Sequence, residues 1–313
     1  METTRSGAPG TGLAPWRVAL LTALALTGFA ANSLLCRAAL GERAIDAASF
    51  TSLRLLSGAA ALLLLLRLSG GRRGGRAGRW PSAVLLFLYA APFSFAYDTL
   101  SAGTGALILF GAVQATMLIA ALSAGERPHP AQWLGLVAAL GGLVYLVLPG
   151  LAAPDPAGAA LMTAAGVAWG LYSLRGRSAA RPLAATVGNF LRSLPLAAAT
   201  TVVFAGQAEA SPRGAVLAVI SGALASGVGY AIWYAALGGL SATLASTVQL
   251  AVPVLAAGGG VLFLAEEVTP RLVVASVLIL GGVALTLRRP AGGQRSGGGA
   301  APPGASGLPP SAK

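Results

Sequence analysis

Charge is what this chain has least of. Only 10% of its 313 residues are charged, against about 25% in an ordinary soluble protein. Hydrophobic residues make up 56%, and the mean hydropathy is +0.76. So much apolar surface cannot be hidden inside one water-facing globule. A soluble enzyme, a disordered chain and a disulfide scaffold are therefore excluded. Cys36 is the sole cysteine, which rules out an intrachain disulfide and a cysteine-based metal site. His129 is the sole histidine, and it sits in an Arg-Pro-His-Pro loop without the partners that catalysis or metal binding needs. No Gly-Lys-Ser/Thr phosphate cradle occurs, so the chain is not itself a P-loop ATP pump. No cofactor or metal is expected. Lysine is nearly absent: 20 of the 21 basic residues are Arg, a bias that with the abundant Ala and Gly fits a GC-rich bacterial genome.

What is there is a series of long apolar runs. A helix needs about 20 such residues to cross the hydrocarbon core. Runs of that kind span residues 17–37, 47–66, 80–97, 101–124, 131–149, 158–174 and 182–204. Residues 214–265 carry no charge at all, and this is long enough for two crossings with a turn at Gly238-Gly239. Residues 272–287 supply the last. The runs do not alternate polar and apolar, which excludes a barrel. The first run is long and is followed by nine more, so it reads as a crossing and not as a cleaved signal peptide.

An even count places both termini on one side. With that side cytoplasmic, fifteen basic residues lie inside and four outside (Arg37, Arg43, Arg213 and Arg271), with Arg54 and Arg192 left within runs. This is the positive-inside bias. The net charge of +12 is then an orientation signal and an attraction to anionic lipid. No nucleic-acid partner is needed. The expected partners are a small-molecule substrate and membrane lipids, with a homodimer left open.

The two halves of the chain match each other weakly but in order. Gly28-Phe29-Ala30-Ala31 with Arg37 matches Gly166-Val167-Ala168-Trp169 with Arg175, and Arg54 matches Arg192, all at a spacing of 138 residues. Gln114 meets Pro253 at 139, and Glu126 meets Glu266 at 140. Five runs per half is an odd number, so the second half would lie upside down relative to the first. Such inverted repeats are common in secondary transporters, with the substrate site between the halves. The expected fold is all-α: an integral membrane protein of ten transmembrane helices in two inverted five-helix repeats. Residues 16–150 and 151–290 are the repeats, and disordered tails occupy 1–15 and 291–313.

These pieces resemble the drug/metabolite transporter superfamily, of the EamA type with two five-helix repeats. The resemblance is carried by Gly28 to Arg37, Ser52-Leu53-Arg54, the Ser101 to Ile108 segment, Gly125-Glu126-Arg127-Pro128 before Trp133-Leu134-Gly135, and Ala251-Val252-Pro253-Val254 leading to Leu264-Ala265-Glu266. It covers about residues 16–289 and implies export or exchange of small metabolites, amino acids or drugs without ATP. One departure is Gln114, where the family often has proline in the fourth span.

Polar groups inside a membrane are costly and mark candidate sites. Gln114, Asn32 and Gln249 read either as solute-binding amides or as interhelical glue, and Asn189 reads as glue. Trp169 and Tyr172 share a helix face, as do Tyr230, Trp233 and Tyr234. These rings either line a cavity or belong to an interfacial belt. With Tyr97 added, the expected substrate-binding set is Asn32, Tyr97, Gln114, Trp169, Tyr172, Tyr230, Trp233 and Gln249. Arg54 and Arg192 can bind a carboxylate or serve structure, and their repeat symmetry favours structure; with Asp98 they form the candidate coupling or gating set. All nine acidic residues lie at or near run ends, which argues against a mid-membrane carboxylate relay. Glu126 and Glu266 are expected to pair with arginine or cap a helix. The spacing of Gly222, Ala225, Ser226 and Gly229 is read as helix packing. The leading function is a secondary transporter exporting small organic solutes by alternating access across a bacterial inner membrane. The alternative is an intramembrane enzyme or lipid-handling protein.

Overall fold

A computed structural model describes residues 14–70, 78–123, 130–148, 153–176, 179, 181–240, 248–249 and 251–287. The expected tails beyond Ala14 and Leu287, and the loop residues Glu126 and His129, lie outside the described residues. The described chain is helical: α1 (Pro15–Gly41), α2 (Ala47–Leu68), α3 (Trp80–Ala96), α4 (Ala102–Ser123), α5 (Pro130–Val147), α6 (Pro156–Gly176), α7 (Pro182–Val203), α8 (Pro212–Leu237), α9 (Ala251–Leu264) and α10 (Pro270–Leu287). Their bounds follow the charge-free runs closely.

Five of these helices are long and apolar enough to cross a membrane: α1, α2, α4, α6 and α8. Helices α3, α9 and the apolar stretches of α5 and α10 are shorter. Helix α7 has the length but carries Arg192, Asn189, Ser193 and three threonines, which lower its hydropathy. The outer surface is studded with exposed Leu20, Leu64, Val144, Leu262, Phe263 and Val277. Apolar cover on this scale belongs against lipid.

Proline marks the helix starts. Pro15, Pro130, Pro156, Pro182, Pro212 and Pro270 are first residues and Pro81 is a second one, positions where the missing N–H costs nothing. The even-numbered helices also share a capped end. Asp46, Ser101, Asp155, Ser211 and Thr269 each accept from a backbone N–H three residues on, at 2.6–3.3 Å. Helices α1, α3 and α7 begin without a side-chain cap.

The capped end is also stitched across the chain. Ile45 and Ala210 form an antiparallel bridge, Ser211 N donates to Ala44 O at 2.8 Å, and Arg213 pairs with Glu42. Within the bundle, α2 packs on α7, α4 on α9 and α5 on α10. Helix α3 meets α6 and α7, while α8 meets α1 and α2; α4 meets α6, and α9 meets α1.

Close approach of α8 to α2 depends on one glycine. A Cβ on Gly222 would stand 2.1 Å from the Arg54 carbonyl oxygen and 2.0 Å from Ser57 Oγ. There the winding of α8 widens, and Ser221–Val228 form a π turn, a device common at functional sites.

Candidate functional site

The π turn and the neighbouring faces of α1, α2, α3 and α6 converge on one buried polar cluster. Ser221 Oγ donates to Asn32 Oδ1 at 2.7 Å, and Asn32 Nδ2 donates to Tyr89 Oη at 3.3 Å. Arg54 donates through Nη2 to Tyr89 Oη at 2.9 Å and through Nε to Ser226 Oγ at 3.2 Å. Its guanidinium carbon lies 5.1 Å from the Tyr89 ring centre and 4.8 Å from that of Phe93, so both rings offer it cation–π stabilisation. Arg54 is 1% exposed and Asn32 4%. At seven residues into α2, Arg54 lies about 10 Å along the helix from its first residue. It does not snorkel to the surface.

Aromatic rings close over this cluster. Trp169 stands 4.8 Å from Tyr89, 5.0 Å from Tyr230 and 6.1 Å from Phe29, centre to centre. Together with Asn32, Ser33, Phe93, Leu109, Phe110 and Ala225 they enclose a pocket of about 10 Å³, room for about one water molecule. Among the described residues Arg54 Nη1 has no hydrogen-bond partner, and the Ser33 and Tyr230 hydroxyls make only loose contacts, with Tyr97 and Tyr89 respectively.

The structure gathers part of the expected substrate-binding set. Asn32, Trp169 and Tyr230 line the pocket. Tyr172 is one ring behind, 5.7 Å from Trp169, and its hydroxyl accepts from Asn189 Nδ2 at 3.4 Å. Trp233 packs on the far side of the cluster, 5.7 Å from Phe29. Tyr97 lies toward the capped end, its ring 4.8 Å from Phe93. Gln114 and Gln249 are buried but stand outside the pocket lining. Arg54 belongs to the cluster, and Arg192 does not: partly exposed, it donates through Nη1 to the Gly188 carbonyl one turn back, at 2.9 Å.

Several site residues are not singled out by searching runs for isolated polar groups. Tyr89, Phe93 and Tyr97 form an i, i+4, i+8 stripe on α3, and Phe29, Asn32 and Ser33 share a face of α1; that spacing is the signal that points to them. Ser226, read from sequence as packing, holds Arg54.

Between the pocket and the capped end lies a second polar group. Arg37 Nε donates to Glu266 Oε1 at 3.2 Å, and Arg37 Nη1 to the Tyr97 carbonyl at 3.1 Å. Glu266 accepts from Ala102 N through both oxygens at 2.9–3.0 Å. The acid therefore pairs with arginine and caps a helix, as expected, although the helix is α4 and not the one that follows it. Ala265, at φ 51°, turns the chain so that Glu266 N reaches Gly260 O at 3.1 Å.

Beside this tie, Asp98 lines a recess of about 470 Å³ with Arg43, Asp46 and Glu209. Burial pushes the Asp98 carboxyl up to about 6, and the charge of Asp46 adds to the rise against Arg43 and Arg37.

These features define a multi-pass helical membrane protein with an enclosed, aromatic-walled polar site among its helices. The EamA-like transporter family model matches residues 156–288. An uncharacterized protein of Pseudomonas aeruginosa is 55% identical over 271 residues, covering 87% of this chain and 94% of its own length. A solved crystal structure is similar with a TM-score of 0.62 and 24% identity, covering 84% of this chain and 97% of that one; this likeness concerns the fold alone. The chain belongs to the EamA-like transporter family, a family of membrane transporters within the drug/metabolite transporters.

Proposed function

We propose that the protein is a secondary transporter of the bacterial inner membrane, with ten crossings and both termini cytoplasmic, that exports small organic metabolites by alternating access. The observation that carries this reading is the origin of the site. Its walls come from α1, α3 and α4 of the first half and from α6 and α8 of the second, so movement of the halves against each other opens or closes it. The helix contacts support an inverted repeat. Adding five to each helix number turns α3 on α6 into α8 on α1, α4 on α6 into α9 on α1, and α3 on α7 into α8 on α2, all of which are contacts in the bundle. The pairs α2–α7, α4–α9 and α5–α10 map onto themselves. Two similar halves can exchange conformations and face the site to either side in turn.

The positive-inside count places the capped, stitched end outside. Arg37 and Glu266 then tie the outer entrance, and Asp98 beside them is the group poised to respond to protons. The partners are the solute and the surrounding lipid.

Uptake and efflux of a labelled metabolite panel in proteoliposomes, with and without a proton gradient, tests the function. Movement of at least one solute is expected; a panel in which nothing moves overturns the reading. A fusion reporter placed after Arg289 is expected to report cytoplasm, and the opposite result reverses the orientation.

A further inference from the structure

Arg54 narrows the class of solute. A cation withdrawn from water is costly unless a counterion or a full set of acceptors replaces hydration. Arg54 has neither. Among the described residues no carboxylate forms an ion pair with it, and the two nitrogens it uses are bonded to neutral hydroxyls. Its Nη1 is left without a partner. Arg192 differs: it is partly exposed, and its Nη1 satisfies a carbonyl of its own helix.

The unpartnered guanidinium nitrogen is not alone. Ser33 Oγ and Tyr230 Oη are only loosely engaged, by Tyr97 and Tyr89, and both residues line the pocket with Tyr89 and Phe93, the two rings that Arg54 touches. The Tyr89 hydroxyl, bonded to both Arg54 and Asn32, holds the guanidinium against the pocket wall. An unused guanidinium nitrogen beside the Tyr89 and Phe93 rings, with two loosely engaged hydroxyls on the pocket wall, suits an acceptor group that carries negative charge.

We propose that the transported solute is an organic monocarboxylate with a planar or apolar body. Its carboxylate is the counterion that Arg54 lacks and accepts further bonds from Ser33 and Tyr230, while Phe29, Trp169 and Tyr89 cover the body. A single cation serves a single carboxylate, and the absence of an acid at this depth leaves an ammonium group without an ionic partner. The identification of the solute rests on the transporter reading; the anion site itself can be tested apart from it.

Benzoate, benzamide and benzylamine present one ring with an anionic, a neutral and a cationic head. Purified full-length protein in detergent is titrated with each while thermal unfolding is followed, and the same three are tracked as labelled solutes in proteoliposomes. Benzoate is expected to raise the Tm of the wild type and of Arg192→Gln, half-saturating at a concentration about tenfold or more below the other two. Arg54→Gln is expected to lose this response, while its own Tm is no lower than that of the wild type, because a buried cation without a counterion has been removed. A structural arginine gives the opposite: a lower Tm. Tyr230→Phe, which leaves Arg54 in place, is expected to weaken benzoate severalfold and keeps the test open should Arg54→Gln fail to fold.

Equal or tighter binding of benzamide or benzylamine overturns the proposal. So does benzoate binding that survives Arg54→Gln or Tyr230→Phe unchanged, or the lack of any benzoate effect on the wild type at millimolar concentration. If benzoate binds as described but none of the three crosses the membrane, the anion site stands and the transporter reading falls.

Discussion

Arg54 and Arg192 stand 138 residues apart, at equivalent places in α2 and α7, two helices that pack on each other. Yet one is sealed against aromatic rings with a nitrogen to spare, and the other reaches back to its own helix in partial contact with solvent. The same divergence runs through α1 and α6. At the same spacing, Asn32 corresponds to Gly170, Phe29 to Val167 and Trp169 to Ala31. Under the proposed inverted repeat the helices are positioned symmetrically, whereas the site chemistry is placed on one copy at a time.

The largest effect is expected from exchanging the two arginines in turn. Arg54→Leu should lower flux in proteoliposomes by about tenfold or more, the worth of a charge-assisted bond, while Arg192→Leu should stay within about twofold of wild type. Equal losses would erase the distinction.

Next comes backbone approach. Gly222→Ala places a methyl group inside the Arg54 carbonyl contact and should cost roughly 1–3 kcal/mol in thermal unfolding. Gly170→Ala, whose Cβ would meet the Thr116 side chain at 3.0 Å, should cost less.

The outer tie should yield a smaller change. Glu266→Gln removes the charge shared by Arg37 and Ala102 N, a loss of roughly 1–2 kcal/mol. The buried thiol of Cys36, one residue before Arg37, should then react faster with maleimide. An unchanged rate would remove the tie from the outer entrance.

The smallest effect concerns pH. The Asp98 carboxyl titrates near 6 in the folded state against an ordinary value of 3.8, so its ionised form opposes the closed end above pH 6. That opposition fades as pH falls from 6 toward 4, where the folded state alone holds the proton. Asp98→Asn should therefore slow Cys36 labelling relative to wild type at pH 7. The ratio of the two rates should approach one near pH 5.

Much of the helical frame was legible before any coordinates. Most charges fall at helix ends because lipid excludes charge and unpaired backbone groups. The charges, with the Gly238-Gly239 turn, therefore mark most bounds of α1 to α10 to within a few residues, while Arg54, Arg192, Pro92, Pro195 and Pro253 lie inside helices. Asn32, Trp169 and Tyr230 were legible as polar or amphipathic groups stranded in apolar runs. The rest of the site was not, because its bonds join distant segments: Arg54 and Ser226 are 172 residues apart, and nothing local distinguishes Ser226 from a packing residue. The symmetry of Arg54 and Arg192 favoured a shared structural role, whereas their surroundings in the bundle differ.

The widened turn of α8 has a consequence of its own. Residues 221–228 hold about one more residue in all than the same stretch of ordinary helix would. Any conformer that rewinds them to regular geometry must twist everything beyond by about 100° relative to Ser221. Tyr230 and Trp233 would then swing away from Phe29 and Trp169 together, while Ser221 kept its hold on Asn32. The helix thus carries its own ratchet tooth, set at the depth where the solute would rest.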